Sequence, residues 1–122
     1  MIRGIRGATT VENNEAKEIE VETERLLRKM VAENGIDAPD IAQVLITVTA
    51  DINDCFPAKA LRNLDGYDYV PVMCAREIPV KGSLPLCIRI MMTAQTVKQQ
   101  ENIQHIFLNG ATVLRPDLVN NG

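Results

Sequence analysis

YVPVMCAREIPVKGSLPLCIRIMMTAQT, residues Tyr69 to Thr96, sets a glutamate and an arginine, Glu77 and Arg89, among apolar neighbours. Within it, Leu86-Cys87-Ile88-Arg89-Ile90-Met91-Met92 is short, apolar and β-branched, with no polar residue except the arginine. That pattern predicts a central strand covered on both faces. Alternation puts Cys87, Arg89 and Met91 on one face and Ile88, Ile90 and Met92 on the other. A guanidinium in such a strand is costly to bury without a partner, because it cannot shed its charge. Arg89 must therefore pair with a carboxylate, for which Glu77 is the first candidate, or face a polar pocket that holds an anionic ligand. An internal ion pair that only fixes strand register is the plain alternative.

Working outward, Pro71 inside Tyr69 to Cys74 marks that strand as lying at an edge or an interface, since proline donates nothing to a ladder. Before it, Ile41 to Thr49 (IAQVLITVT) reads as a second strand covered on both sides. Phe56-Pro57 then opens a short helix to Leu64 that carries Lys59 and Arg62 on one side. Upstream lies the surest element, a helix capped by Asn13 or Asn14, running to about Glu33 and stopped by Asn34-Gly35. Ala16, Ile19, Thr23, Leu26, Leu27, Met30 and Val31 form its apolar stripe, and its charge run is a solvated face. Between helix and strand, Pro39-Asp40 starts one helical turn. Met1 to Val11 (MIRGIRGATTV) reads as a first strand. Its glycines suggest either an edge strand with solvated arginines or a backbone that something approaches closely, an anion near Arg6 being one choice. Downstream, Thr93 to Asn102 reads as a polar loop and Ile103 to Leu108 as a strand. Asn109-Gly110 turns the chain into Ala111 to Leu114, as a hairpin in one reading. The expectation is a single domain over residues 1–118 with a mobile tail at 119–122.

Composition removes several function classes. The 122 residues carry a net charge of -3 and no Trp, which argues against nucleic acid as a partner and against base-stacking platforms. No apolar run is long enough for a membrane span, and no apolar core follows Arg3 and Arg6 as a secretory signal would require. Three cysteines without C-x-x-C spacing argue against a disulfide framework and a zinc site, and favour the cytoplasm. A single histidine, His105, leaves little room for a histidine triad or a multi-histidine metal centre. What remains is a set of cations outside the long helix: Arg6, Lys59, Arg62, Arg89 and Arg115. If several converge, they make a site for a multiply anionic ligand that works by positioning and electrostatics.

Five motifs taken in order, RGIRGATT (3–10), FPAKA-x-R (56–62), C-x-x-E (74–77), C-I-R-x-M-M-T (87–93) and L-R-P-D (114–117), resemble the monofunctional chorismate mutases of the Bacillus type. The resemblance implies a mixed α/β subunit with one long and one short helix. It also implies a homotrimer with a barrel-like core and active sites between subunits. The implied reaction is the [3,3] rearrangement of chorismate, a dicarboxylate, to prephenate in aromatic amino acid synthesis, with no metal or cofactor. Arg89 then looks like the arginine facing the ether oxygen, Glu77 the glutamate on the substrate hydroxyl, Cys74 a second contact to that hydroxyl, and Arg6 a carboxylate grip. Phe56, Ala58 and Leu114 resemble the apolar walls, and Lys59, Arg62 and Arg115 the cationic rim. Two positions depart from the family pattern: Phe107 stands where a tyrosine is common, and Met73 where a threonine is frequent. A non-catalytic trimeric binder of an anionic metabolite is the competing reading, and Glu77 beside Arg89 speaks against it. A deaminase of a similarly shaped trimer family lacks its signature residues here.

Overall fold

The structure, a computed structural model, describes residues 1–114. Five strands form one mixed sheet in the order β3-β2-β4-β1-β5, with β1 Ile2–Thr10, β2 Ile41–Val48, β3 Val72–Arg76, β4 Cys87–Gln95 and β5 Ile106–Phe107. The central strand β4 runs antiparallel to both β1 and β2, while β3 and β5 are added in parallel at the two edges. The single long helix, α1 (Ala16–Asn34), packs on one face. Its stripe of Ile19, Thr23, Leu26, Leu27 and Met30 is fully buried against Ile5, Ile46, Ile88, Ile90 and Met92 of the sheet. At about 25 cal/mol per Å² of apolar surface removed from water, this layer is the main source of stability.

The helix begins one residue later than the asparagines suggest. Glu15 is the cap, accepting from the N–H groups of Lys17 and Glu18, and Asp54 takes the N–H of Ala16. Asn14 instead accepts from the N–H groups of Asn53 and Asp54, and so ties the loop after β2 to the helix start. The stop is as expected, with Gly35 in the left-handed region at φ 62°.

Several expectations change. The first strand is not an edge: β1 lies between β4 and β5. The helix presses on Gly7; a Cβ there would sit 2.4 Å from Met30 Sδ, so that side chain would have to shift. A close approach to this backbone is therefore made by α1. Strands β2 and β4 are covered on one face only. Leu45, Arg89 and Met91 are exposed, since α1 lies on the opposite face, although Ala8 and Cys87 on their own face are buried. The edge strand starts after Pro71, whose carbonyl accepts from Val44 N–H, and runs on to Arg76. Residues 93–95 belong to β4 rather than to a loop, with Ala94 fully buried. The helix after Phe56 is a 3₁₀ segment, Pro57–Asn63. Only Ile106 and Phe107 pair as a strand, and the chain leaves them through a 3₁₀ segment, Asn109–Val113, so no hairpin forms. Asn109 makes the bend with φ 54°. Arg115 and the tail at 119–122 lie outside the described residues.

Candidate active site

Strand register assembles a row of side chains on the open face. Thr47 pairs with both Ala75 and Arg89, Arg89 with Ala8, and Ala8 with Phe107. One step along, Met73, Leu45, Met91 and Arg6 form the neighbouring row through the same pairings. Between the rows lies a cleft of about 360 Å³, lined by Arg6, Leu45, Thr47, Glu77, Arg89, Met91, Phe107 and Leu114 among others.

Glu77 reaches this face because the parallel pairing of β3 with β2 extends one rung past Arg76, the N–H of Glu77 donating to Val48 O at 2.9 Å. Its carboxylate meets Arg89 in a bidentate pair, with Nη2 donating to Oε1 at 2.7 Å and Nε donating to Oε2. Thr47 Oγ1 donates to the same Oε2. The Arg89 guanidinium beside Glu77 holds its carboxyl below the usual range, against the opposing effect of burial, and the Thr47 hydroxyl adds to the lowering. The same pair raises the guanidinium pKa. Both groups therefore stay ionised across any working pH. Arg89 is 54% exposed and Glu77 only 15%, so the arginine presents its remaining N–H groups outward while the carboxylate is fixed behind it.

The far wall of the cleft comes from residues 104–114, zipped along β1. Leu108 N–H donates to Ala8 O, and the Asn109 amide donates to Thr9 Oγ1, Thr10 O and Glu22 Oε1. These contacts set Phe107 and Leu114 at the mouth.

The other expected residues lie elsewhere on the chain. Cys74 pairs with Ile46, which pairs with Ile90, so its side chain is on the core face, opposite to Arg89. It lines a groove near the sheet edge together with Phe56 and Arg76. Phe56, Ala58, Lys59 and Arg62 line an adjoining groove of about 670 Å³. Lys59 reaches Glu20 at 3.8 Å, and Phe56 is 78% exposed. Met73 is exposed on the open face of the edge strand. Arg6, Glu77, Arg89, Phe107 and Leu114 thus come together within one chain; Phe56, Ala58, Lys59, Arg62 and Cys74 form a second cluster that does not join them.

The thiols offer no nucleophile. Burial raises the pKa values of Cys55 and Cys74 and pushes that of Cys87 up to about 11. Among the described residues, no cluster of histidine, cysteine or carboxylate side chains has the arrangement of a metal site.

Sequence reasoning missed Thr47, which orients Glu77. Its signal was available, since alternation in IAQVLITVT places Thr47 on the face away from Val44 and Ile46. It also missed Asn34 as more than a stop residue: buried at the helix end, its side chain binds both Gln104 N–H and Gln104 O at 2.8 Å.

The family model described as chorismate mutase type I matches residues 2–118. The chain is 51% identical over 118 residues to the chorismate mutase AroH of Bacillus subtilis, covering 97% of this chain and 93% of that one. It is 45% identical over 119 residues to the chorismate mutase AroH of Thermus thermophilus, covering 97% of each. A solved chorismate mutase from Clostridium thermocellum superposes with a TM-score of 0.88 at 48% identity, over 90% of this chain and 97% of that chain.

Proposed function

The chain belongs to the chorismate mutase type I family, and from that premise we propose how its surface carries out the reaction. The protein is an isomerase of aromatic amino acid biosynthesis that converts chorismate to prephenate. In this rearrangement the ether C–O bond breaks as a new C–C bond forms, and no atom is gained or lost. Cleavage running ahead of bond formation leaves negative charge on the ether oxygen and positive charge on the ring. The observation that carries the reading is the Arg89–Glu77 pair at the bottom of an open-faced cleft. Arg89 donates to the ether oxygen, and Glu77 accepts from the ring hydroxyl and offsets the ring charge. A charge partner fixed before reaction is strongest where charge develops, which lowers the barrier rather than merely binding substrate. Arg6 grips a carboxylate, and Phe107 and Leu114 close the apolar side around the compact reactive conformer.

The second cluster completes the site from a neighbouring subunit. In a homotrimer, the cleft of one chain, bordered by its own Met73, meets the edge of the next, which brings Phe56, Ala58, Lys59, Arg62 and Cys74. Lys59 and Arg62, with Arg115, form the rim that attracts the dianion, and Cys74 adds a contact to the hydroxyl. Support comes from the apolar side chains around the cleft: Ile2, Leu45, Met73 and Met91 are between 42% and 74% exposed in the single chain. Exposed apolar side chains of this kind, Leu45, Met73 and Met91 lying side by side through strand pairing, form a surface that proteins cover. Residues 1–118 act as one domain. Three free thiols suit a reducing cytoplasm, and none of the described helices is long and apolar enough to cross a membrane.

The test is a spectrophotometric assay of purified protein with chorismate, following loss of the conjugated diene and confirming prephenate as product. Saturable turnover without added metal or cofactor is expected. Binding of chorismate without turnover would mean that the chain is a binder, and the roles given to Arg89 and Glu77 would fall.

A further inference from the structure

The strand that carries Arg6 is paired on its β5 side at only two positions, Gly7 with Ile106 and Ala8 with Phe107. One rung earlier the ladder is continued by a side chain: the N–H of Arg6 donates to Nδ1 of His105 at 2.9 Å. The imidazole nitrogen stands where a main-chain carbonyl would stand if β5 began earlier. An imidazole can accept there only when Nδ1 is unprotonated, which requires the neutral ring with its proton on Nε2. The residue before it is held hard: Asn34, buried at the end of α1, binds both the N–H and the carbonyl of Gln104. Hydrogen bonds at residues 104 and 105, joined by the peptide bond between them, therefore tie the helix terminus to the backbone of Arg6.

We propose that His105 is a positioning residue for Arg6, its neutral imidazole fixing the main chain from which the Arg6 side chain enters the cleft. This rests on the reading of Arg6 as a grip on a substrate carboxylate. Arg6 lines both the substrate cleft and a neighbouring cavity of about 370 Å³ that His105 also lines, so its guanidinium has two places to go. Fixing its backbone restricts that choice.

The chain has one histidine, so its ring signals are unambiguous. In uniformly nitrogen-15-labelled wild-type protein, a scalar coupling through the hydrogen bond is expected between the Arg6 amide nitrogen and His105 Nδ1, with Nε2 carrying the proton. Absence of the coupling, or a proton on Nδ1, overturns the proposal. Kinetically, His105→Ala is expected to raise KM about threefold to tenfold with kcat changed less than about twofold, the pattern of lost uniform binding. His105→Asn, whose Oδ1 accepts from nearly the same place, should restore KM to within about twofold of wild type. A merely structural role would lower thermal stability without this split or this rescue. If His105→Ala leaves KM unchanged while Arg6→Ala raises it, the positioning role is wrong. If Arg6→Ala itself leaves KM unchanged, the carboxylate-grip reading has failed, and the positioning role falls with it.

Discussion

A site divided between subunits predicts that two damaged proteins can repair one another. Arg89→Ala removes the charge partner from the cleft and should lower kcat/KM about 10²- to 10³-fold, as loss of one preorganised donor does. Arg62→Ala damages the edge, which lies in a different groove from Glu77 and Arg89 on the same chain. A charge-assisted contact of this kind contributes roughly 1.5 to 3 kcal/mol, so that variant should fall about 10- to 150-fold. In trimers assembled at random from equal amounts of both, a working site needs its cleft from an Arg62→Ala chain and its edge from an Arg89→Ala chain. Each requirement is met about half the time, so about one site in four is intact when the interface is cyclic. Co-expression with two affinity tags, tandem purification and the diene assay test this. Because tandem purification keeps only mixed trimers, each with one intact site in three, activity near a third of wild type is expected. Mixed trimers, verified by native mass spectrometry, that show only the average of their parents would refute the division of the site; a protein that stays monomeric would refute the trimer itself.

Three further outcomes follow from the geometry. Arg89→Ala should lose about 3 kcal/mol of transition-state stabilisation while circular dichroism and assembly are unchanged, and Arg89→Lys should recover little of it, because an ammonium cannot reproduce the two-point grip on Glu77. Phe107→Tyr places a hydroxyl at the cleft wall and should lower KM about 2- to 10-fold, the worth of one neutral hydrogen bond; no change or a rise would remove the account given for this position. The Glu77 pKa is depressed in the folded state by Arg89 and Thr47. The pair therefore stabilises the fold at all pH values above the ordinary glutamate value of about 4.3, and that contribution is lost as pH falls through the depressed folded value. The difference in Tm between wild type and Glu77→Gln should stay constant from about pH 6 to 8 and shrink only below about pH 4.3. Shrinkage near neutrality would mean that the carboxylate is not held by Arg89.

What the sequence made legible follows from which side of the sheet each residue serves. The helix stripe, the strand at Ile41 and the alternation around Arg89 are written in apolar periodicity, because burial against α1 enforces them. The expectation of covered faces on β2 and β4 rested on Leu45 and Met91 being apolar, and it failed, because one chain leaves both exposed. An apolar run shows which residues are apolar and not what, if anything, covers them. The region after Thr93 was least legible for a different reason. Apart from the short pairing of Ile106 to Leu108 with β1, residues 104–110 are fixed by side chains, through Asn34, His105 and Asn109. None of these leaves a periodic trace. The pairing of Glu77 with Arg89 was visible as an electrostatic need, whereas Thr47 required the register that brings β2 beside β4.

The roles proposed for the pair also distinguish holding a dianion from transforming it. A pocket selected only to bind two carboxylates gains nothing from a third carboxylate, and Glu77 neutralises part of the field of the arginine beside it. The arrangement makes sense when the bound molecule separates charge during reaction. Arg89 and Glu77 form a fixed dipole, with the exposed positive end directed into the cleft and the carboxylate anchored behind it by Thr47 and by the backbone bond to Val48. Toward a ground state with little internal charge separation that dipole contributes little. On the proposed roles, toward a transition state with a negative ether oxygen and a positive ring it aligns at both ends, without reorganising as the barrier is crossed. Because the gain is differential, it appears in kcat rather than in substrate affinity alone. Removal of Glu77 should therefore depress kcat even though it leaves more net positive charge for the substrate to bind.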